Sequence, residues 1–148
     1  MSTVLGLLRA WSTLPAPALD DVAGDLRAEF VAPLRHVAPA GLGLVGLPRW
    51  HGKRFAPSGA DELAGINLLR PRSPCGALEE RLPMRAVLGQ GLADGRPAVV
   101  VTYAVDAPRP WRWIRDELRV GPDGTFVGMS YVDLPLLRRG GLPFLLRR

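Results

Sequence analysis

Two strong turn signals in the second half of the chain most constrain its fold. They are the Asp94-Gly95 pair and the Gly121-Pro122-Asp123-Gly124 segment, and both lie between runs of apolar and β-branched residues. Asp-Gly favours tight hairpin turns because glycine accepts positive φ angles. Counting the segments bounded by such signals gives about seven short strands at even spacing, which is typical of barrels and sandwiches. The predicted strands are residues 50–55, 65–69, 84–92, 96–105, 111–120, 125–132 and 142–148.

The first part of the chain has a different pattern, which predicts helix. Val22, Leu26, Phe30 and Leu34 recur at the spacing of one helix face, and acidic residues at 20 and 21 suit a helix N-terminus. A helix over 20–34 is therefore expected, within a helical segment 1–38. The length of 148 residues favours a single domain, 1–148. We expect a mainly β protein in which residues 41–148 form a small antiparallel calycin-like β-barrel.

Composition excludes several classes of function. The net charge is +5, but the arginines are spread along the chain, which favours a solvated basic surface over a nucleic-acid site. No apolar run approaches the roughly 18 residues of a membrane helix. Cys75 is the only cysteine, which fits a reducing cytoplasm. Since phosphate-loop, nucleotide, hydrolase and zinc motifs are missing, we expect no cofactor and no metal.

The predicted strand 111–120 places a carboxylate on each of its faces. Asp116 falls among the apolar residues Ile114 and Leu118, so it is buried if that face is interior. A buried carboxylate must be paired or functional, and both readings stay open. On the other face, Glu117 lies between arginines, and pairing on the surface is enough to explain it.

The segment Trp50-His51-Gly52-Lys53-Arg54-Phe55 is the second candidate for chemistry. As a strand it presents His51 and Lys53 on one face. A histidine can act as acid or base near neutral pH, although a lone one more often has a structural role. Lys53 is the only lysine beside 18 arginines, which suggests either chance or a need for a compact ammonium group toward a ligand.

This segment, taken with the C-terminal strands, resembles the bacterial GXWXG family and the domain of unknown function that accompanies it. The similarity includes Asn67, Met84-Arg85, Val101-Thr102-Tyr103 and residues 116–119, 127–129 and 144–147. It covers roughly residues 41–148. The tryptophan of the name-giving motif has no counterpart near residues 41–46. The resemblance implies a β-barrel and carries almost no function with it.

Three functions fit this architecture. The first is binding of a small hydrophobic or aromatic molecule, such as a polyketide, a fatty acid or a terpenoid-like compound, inside the barrel. The second is a cofactor-independent cyclase, isomerase or lyase that acts on such a molecule there. The third is a partner-binding module that docks through the helix 20–34. An apolar loop after residue 132 also makes a homodimer plausible.

The candidate residues follow from these hypotheses. Catalysis would use Asp116 or Glu117 as acid or base, or His51, with Arg85, Arg119 or Tyr131 stabilising developing charge. Ligand binding would use the following residues: Trp50, Lys53, Arg54, Asn67, Arg85, Tyr103, Trp113, Arg119, Met129 and Tyr131.

Overall fold

A computed structural model describes residues 3–148 of the chain. Residues 1 and 2, where the predicted helical segment begins, lie outside the described part. Within the described residues, three α-helices and eight β-strands follow one another, with short 3-10 turns at Trp11–Thr13, Leu34–His36 and Trp111–Trp113. The elements are α1 (Val4–Ala10), α2 (Leu19–Val22), β1 (Gly24–Glu29), α3 (Ala38–Leu44), β2 (Trp50–Pro57), β3 (Leu63–Leu69), β4 (Glu79–Gln90), β5 (Pro97–Tyr103), β6 (Ile114–Val120), β7 (Phe126–Val132) and β8 (Leu142–Arg147).

The strands form a closed barrel in which each strand pairs antiparallel with the next one along the chain. Pairing of β1 with β8 closes it, for example at Ala28 opposite Leu146. The predicted mainly β fold with a small antiparallel barrel and a short N-terminal helix is thereby confirmed. Both turn signals connect neighbouring strands, with Gly95 and Gly124 at φ angles of 67° and 77°.

Alternation along the strands sorts residues between the interior and the outer wall. Inward-facing residues lie opposite one another across the sheet, such as Val99 with Leu118 and Gly128 with Phe144. They build the main apolar core, to which Leu26, Phe55, Leu63, Leu69, Val101 and Leu146 also belong. A second apolar cluster lies outside the barrel, where Leu7 and Trp11 of the N-terminal segment cover β7 and β8.

The helix predicted over 20–34 is wrong. Helix α2 ends at Val22, and Gly24, at a φ angle of 109°, begins strand β1. Leu26 and Phe30 are four residues apart, a spacing that suits one face of a strand as well as one face of a helix. Because Leu26 is buried between exposed Asp25 and Arg27, the strand alternation is the pattern that packs. This segment is the strand that the predicted seven lack, so the barrel begins at Gly24 and not at residue 41. The helix over 20–34 that was proposed for partner docking is not formed.

One end of the barrel is covered by the segment between β1 and β2. It contains the 3-10 turn Leu34–His36 and helix α3, which the sequence pattern did not predict. Pro39 lies in the first turn of α3, where a proline costs no helical hydrogen bond. None of the helices within residues 3–148 is long and apolar enough to cross a membrane.

Candidate functional site

A cavity of about 340 Å³ lies inside the barrel, at the end that α3 covers. Its wall is mainly apolar and aromatic, and its polar side chains are Lys53, Tyr103, Asp116 and Ser130. The remaining lining residues are Phe30, Leu34, Val37, Ala38, Gly41, Leu42, Leu47, Trp50, Trp111, Leu142 and Phe144. The volume is at the lower end of the range of about 300–1,000 Å³ that small-molecule pockets occupy.

Lys53 is the centre of the polar part of this wall. Its Nζ atom lies 3.0 Å from Oδ2 of Asp116, 3.1 Å from the Tyr103 hydroxyl and 3.2 Å from Oδ1 of Asn67. The lysine side chain is 2% exposed and that of Asp116 is 5% exposed. A buried charge of this kind is tolerated only when it is paired and hydrogen-bonded. Asp116 provides the opposite charge, and Tyr103 and Asn67 accept hydrogen bonds from the ammonium group.

Asn67 holds this arrangement from behind the cavity wall. Its Oδ1 atom accepts hydrogen bonds from Lys53 and from the indole nitrogen of Trp50, 3.1 Å away. Both of these groups can only donate, which fixes the orientation of the amide. The Nδ2 atom therefore donates, to the Tyr103 hydroxyl at 3.0 Å and to the carbonyl of Leu82 at 3.4 Å.

An irregularity in β2 brings both Trp50 and Lys53 to the cavity. The register of β2 against β3 shifts between Trp50 and Gly52, so side chains three positions apart face the same side. Glycine is required there, because a Cβ atom on Gly52 would lie 1.8 Å from the carbonyl oxygen of Leu26. Strict alternation, on which the prediction of a shared face for His51 and Lys53 depends, places Trp50 on the opposite face and is wrong at this point.

Electrostatics keep Lys53 charged. Burial by itself lowers the pKa of the Lys53 ammonium, but Tyr103 and Asp116 outweigh this effect and raise the pKa above its usual value. Burial is also the main reason why the pKa of Tyr103 is raised, so its phenol is neutral at pH 7. The cavity thus presents a charge-compensated ammonium and carboxylate pair beside a neutral hydroxyl group.

The structure brings together only some of the predicted site residues. Trp50, Lys53, Tyr103 and Asp116 line the cavity, and Asn67 supports them. The others lie elsewhere, and their predicted grouping around one ligand does not hold. They are His51, Arg54, Arg85, Trp113, Glu117, Arg119, Met129 and Tyr131.

Three of these residues are on the solvent side of the barrel. Arg54 pairs with Asp25 and Glu80, at 2.7 Å from each, and Arg85 pairs with Glu62 at 2.7 Å. His51 is half-buried and lies close enough to Asp25 to lower the pKa of that carboxyl, after the larger effect of the Arg54 hydrogen bond. Arg54 and Arg85 take outward positions of their alternating strands, whereas His51 lies at the register shift of β2 and does not line the cavity.

Trp113 is outside the cavity for a different reason. The strand predicted over 111–120 begins only at Ile114, because residues 111–113 form a 3-10 turn. Trp111 consequently lines the cavity and donates to the carbonyl of Val45 at 2.7 Å. Trp113 is half-buried beside the guanidinium of Arg109.

Glu117, Arg119, Met129 and Tyr131 lie on the outer wall, yet all four are buried. The N-terminal segment packs on Met129, Tyr131 and Arg119. Glu117 is 0% exposed, so the expectation that it pairs on the surface is wrong. Glu117 Oε1 accepts from the backbone amide of Leu92 at 2.7 Å and from Arg115 at 3.0 Å. Glu117 therefore holds the β4–β5 turn, the other three contact the N-terminal segment, and none of the four lines the cavity.

Ser130, Met84 and Phe144 are neighbours of the site that sequence reasoning did not assign to it. Ser130 lies opposite Asp116 in the β6–β7 register, and Met84 Sδ is 3.7 Å from Lys53. The position of Ser130 opposite Asp116 could have been predicted from the sequence, because the Gly121–Gly124 turn sets the register of that hairpin.

Within residues 3–148 no group of three histidine, cysteine or acidic side chains is placed to hold a metal ion.

Comparisons with known proteins add to the fold. No protein-family model matches the chain, and no curated protein matches it. It is similar to a solved structure, the crystal structure of a protein from Thermomonospora curvata, with a TM-score of 0.66 and 21% identity. The match covers 97% of this chain and 86% of that one. This likeness shows the fold alone, and the resemblance to the GXWXG family stays a prediction.

Proposed function

We propose that the barrel binds one small, mainly apolar or aromatic molecule in its cavity. The observation that carries this proposal is an apolar cavity of about 340 Å³ with one polar cluster, around Lys53, in its wall. Specific small-molecule sites combine apolar walls with a few convergent polar groups in this way. The aromatic side chains of Trp50, Trp111 and Phe144 offer faces and edges to a planar ligand.

The first test is native mass spectrometry of the purified protein, followed by extraction of any bound compound. A panel of apolar compounds is then titrated while tryptophan fluorescence is recorded, since Trp50 and Trp111 line the cavity. A co-purifying apolar molecule, or saturable binding at one site per chain, supports the proposal. An empty protein that binds nothing in the panel contradicts it.

A matched pair of variants locates the binding. Ser130→Leu adds a branched side chain inside the cavity, whereas Ser58→Leu makes the same change at an exposed loop position. We expect the first variant to lose binding by at least about tenfold, because apolar atoms then occupy ligand space. The second should bind as the wild type does. Equal affinities would place the ligand outside the barrel.

A second candidate function is cofactor-independent catalysis in the same cavity, as a cyclase, isomerase or lyase. The observation that favours it is Asp116, the predicted acid or base that lines the cavity while Glu117 and His51 do not. Lys53 would not serve as nucleophile, because its ammonium is held protonated. In this case Asp116→Asn abolishes turnover of a bound compound while leaving its affinity measurable, whereas a pure binder has no turnover to lose.

We also propose a cytoplasmic location for the protein. Cys75 is exposed, and a free exposed thiol suits a reducing compartment such as the cytoplasm. A homodimer through the loop after β7 also stays a prediction, with Leu136 and Leu137 as its exposed apolar side chains. Analytical ultracentrifugation of the wild type and of a Leu136→Ser variant tests the dimer.

A further inference from the structure

Two polar groups in the cavity wall have hydrogen-bonding capacity that the protein does not use. The first is the Tyr103 hydroxyl. Its oxygen accepts from Lys53 at 3.1 Å and from Asn67 at 3.0 Å, and both of these partners can only donate in this arrangement. The hydroxyl hydrogen is left over, and among the described residues it has no acceptor. Tyr103 lines the cavity, so this hydrogen is available to a ligand.

The second group is the carboxylate of Asp116. Its Oδ2 atom faces Lys53 at 3.0 Å, whereas within residues 3–148 Oδ1 accepts no hydrogen bond. Asp116 is only 4% exposed and lies in the cavity wall beside Ser130. An ionised carboxylate has about four lone-pair sites, so Asp116 has acceptor capacity beyond its contact with Lys53. A hydrogen-bond donor in the cavity would use that capacity and form a hydrogen bond to a charged acceptor.

We infer that the ligand is an uncharged, mainly apolar molecule with a hydroxyl group that donates to Asp116. This inference rests on the proposed function. We expect the same hydroxyl oxygen to accept from Tyr103, because the Tyr103 hydroxyl and Asp116 Oδ2 are both neighbours of Lys53 Nζ, at 3.1 and 3.0 Å. The rest of the molecule lies against the apolar and aromatic wall. This inference selects phenol-like or alcohol-bearing compounds over fatty acids.

Charge balance is the reason why an acid does not fit. Asp116 already neutralises Lys53, and Arg54 and Arg85 face the solvent outside the barrel. A ligand carboxylate would bring a second negative charge next to Asp116 in a place where water screens poorly. An ammonium ligand would meet Lys53 in the same way. A neutral donor satisfies Asp116 without adding charge.

Three probes with one ring system test the inference by isothermal titration calorimetry at pH 7. They are 1-naphthol, which donates; 1-methoxynaphthalene, which accepts only; and 1-naphthoate, which is anionic. We expect 1-naphthol to bind at least about tenfold more tightly than either of the others, since its hydrogen bond goes to a charged acceptor. If 1-naphthoate binds as tightly as 1-naphthol or more so, or the methyl ether equals the naphthol, the inference is wrong while the proposed function stands.

The variant Asp116→Asn replaces a hydrogen-bond acceptor in the cavity wall with a donor. Because Lys53 can only donate, the amide oxygen faces Lys53 and the amide NH₂ group faces the cavity. The ratio of 1-naphthol to 1-methoxynaphthalene affinity should fall by about tenfold or more. Asp25→Asn, an exposed carboxylate outside the barrel, should leave the ratio unchanged.

The outcomes of the two proposals are distinguishable. A ratio unchanged by Asp116→Asn would overturn the assignment to Asp116, and the wild-type affinities decide the ligand class even if that variant does not fold. If the three probes fail while other apolar compounds bind in the cavity, only the ligand class is wrong. If no compound binds at all, both this inference and the proposed function fail.

Discussion

Nζ of Lys53 lies 3.0 Å from Oδ2 of Asp116, and the two residues belong to β2 and β6, strands that are not neighbours in the barrel. The ion pair therefore crosses the interior and connects opposite parts of the wall. Neither charge has appreciable contact with water, since the side chains are 2% and 5% exposed. Each residue depends on the other, because an isolated charge in such a place is strongly unfavourable.

Removing one partner of this pair should cost much more than removing both. We expect Lys53→Met to lower the free energy of unfolding by about 3–5 kcal/mol, because the carboxylate is left buried and unpaired. The double variant Lys53→Met/Asp116→Leu should recover a large part of that loss, as measured by urea unfolding. Arg54→Met, which breaks exposed ion pairs with Asp25 and Glu80, should cost about 0–1 kcal/mol for each pair. A double variant no more stable than Lys53→Met would contradict this account.

Arg119 should control how firmly the N-terminal segment is attached. Its guanidinium donates to both carboxylate oxygens of Asp94, at 2.7 and 2.8 Å, and to the carbonyl of Trp11 at 2.9 Å. Arg119→Lys keeps the charge but loses the planar fork, so we expect a loss of about 2 kcal/mol or more. Hydrogen exchange should then increase at residues 3–17 more than in β3 and β4. Arg112→Lys, at an exposed position, is the control, and equal exchange in both variants would refute the attachment role.

The hairpins of the barrel could be predicted from local signals, but strand β1, which closes it, could not. Gly95 and Gly124 mark hairpins whose geometry is set within a few residues. Strand β1, by contrast, pairs with β2 and with β8. The residues of β8 are about 120 positions further along the chain, as the pairing of Arg27 with Arg147 shows. No local pattern reports such a pairing, and the spacing of Leu26 and Phe30 fits helix and strand equally well.

The site was predictable where one residue stood out from the rest of the sequence. Lys53 is the only lysine, and Asp116 interrupts an apolar face, and these two residues meet in the structure. The prediction for Arg119 failed because its burial on the outer wall depends on the docking of Trp11, more than 100 residues earlier. That for Glu117 failed because Leu92, 25 residues earlier, lies against its carboxylate. Alternation indicates which face a side chain takes, but not what covers that face.

Stability should fall at alkaline pH partly through Tyr131. Burial, with the negative charges of Glu117 and Asp94, raises the pKa of this tyrosine to about 12. Between pH 10 and about 12 the unfolded chain therefore loses a proton that the folded chain keeps, so folding becomes less favourable as the pH rises. Tyr131→Phe should lose less stability over this range than the wild type does, in thermal unfolding at pH 9 to 12. All other alkaline groups are common to both proteins, and identical pH profiles would contradict the prediction.

Gly128 should determine the shape of the cavity through Phe144. The two residues lie opposite each other on β7 and β8, and a Cβ atom on Gly128 would lie 2.3 Å from the Phe144 ring. Gly128→Ala therefore forces the ring to move, and since Phe144 lines the cavity, its displacement changes the space beside Trp50. We expect a loss of about 1–3 kcal/mol in stability, together with weaker binding of apolar probes, measured by urea unfolding and calorimetry.

The matched control is Gly43→Ala in α3, where the new Cβ meets nothing closer than 3.9 Å and the helix should gain up to about 1 kcal/mol. If Gly128→Ala left both stability and probe affinity unchanged, the Phe144 ring would not be held against Gly128, and the packing of this wall would have to differ from that described.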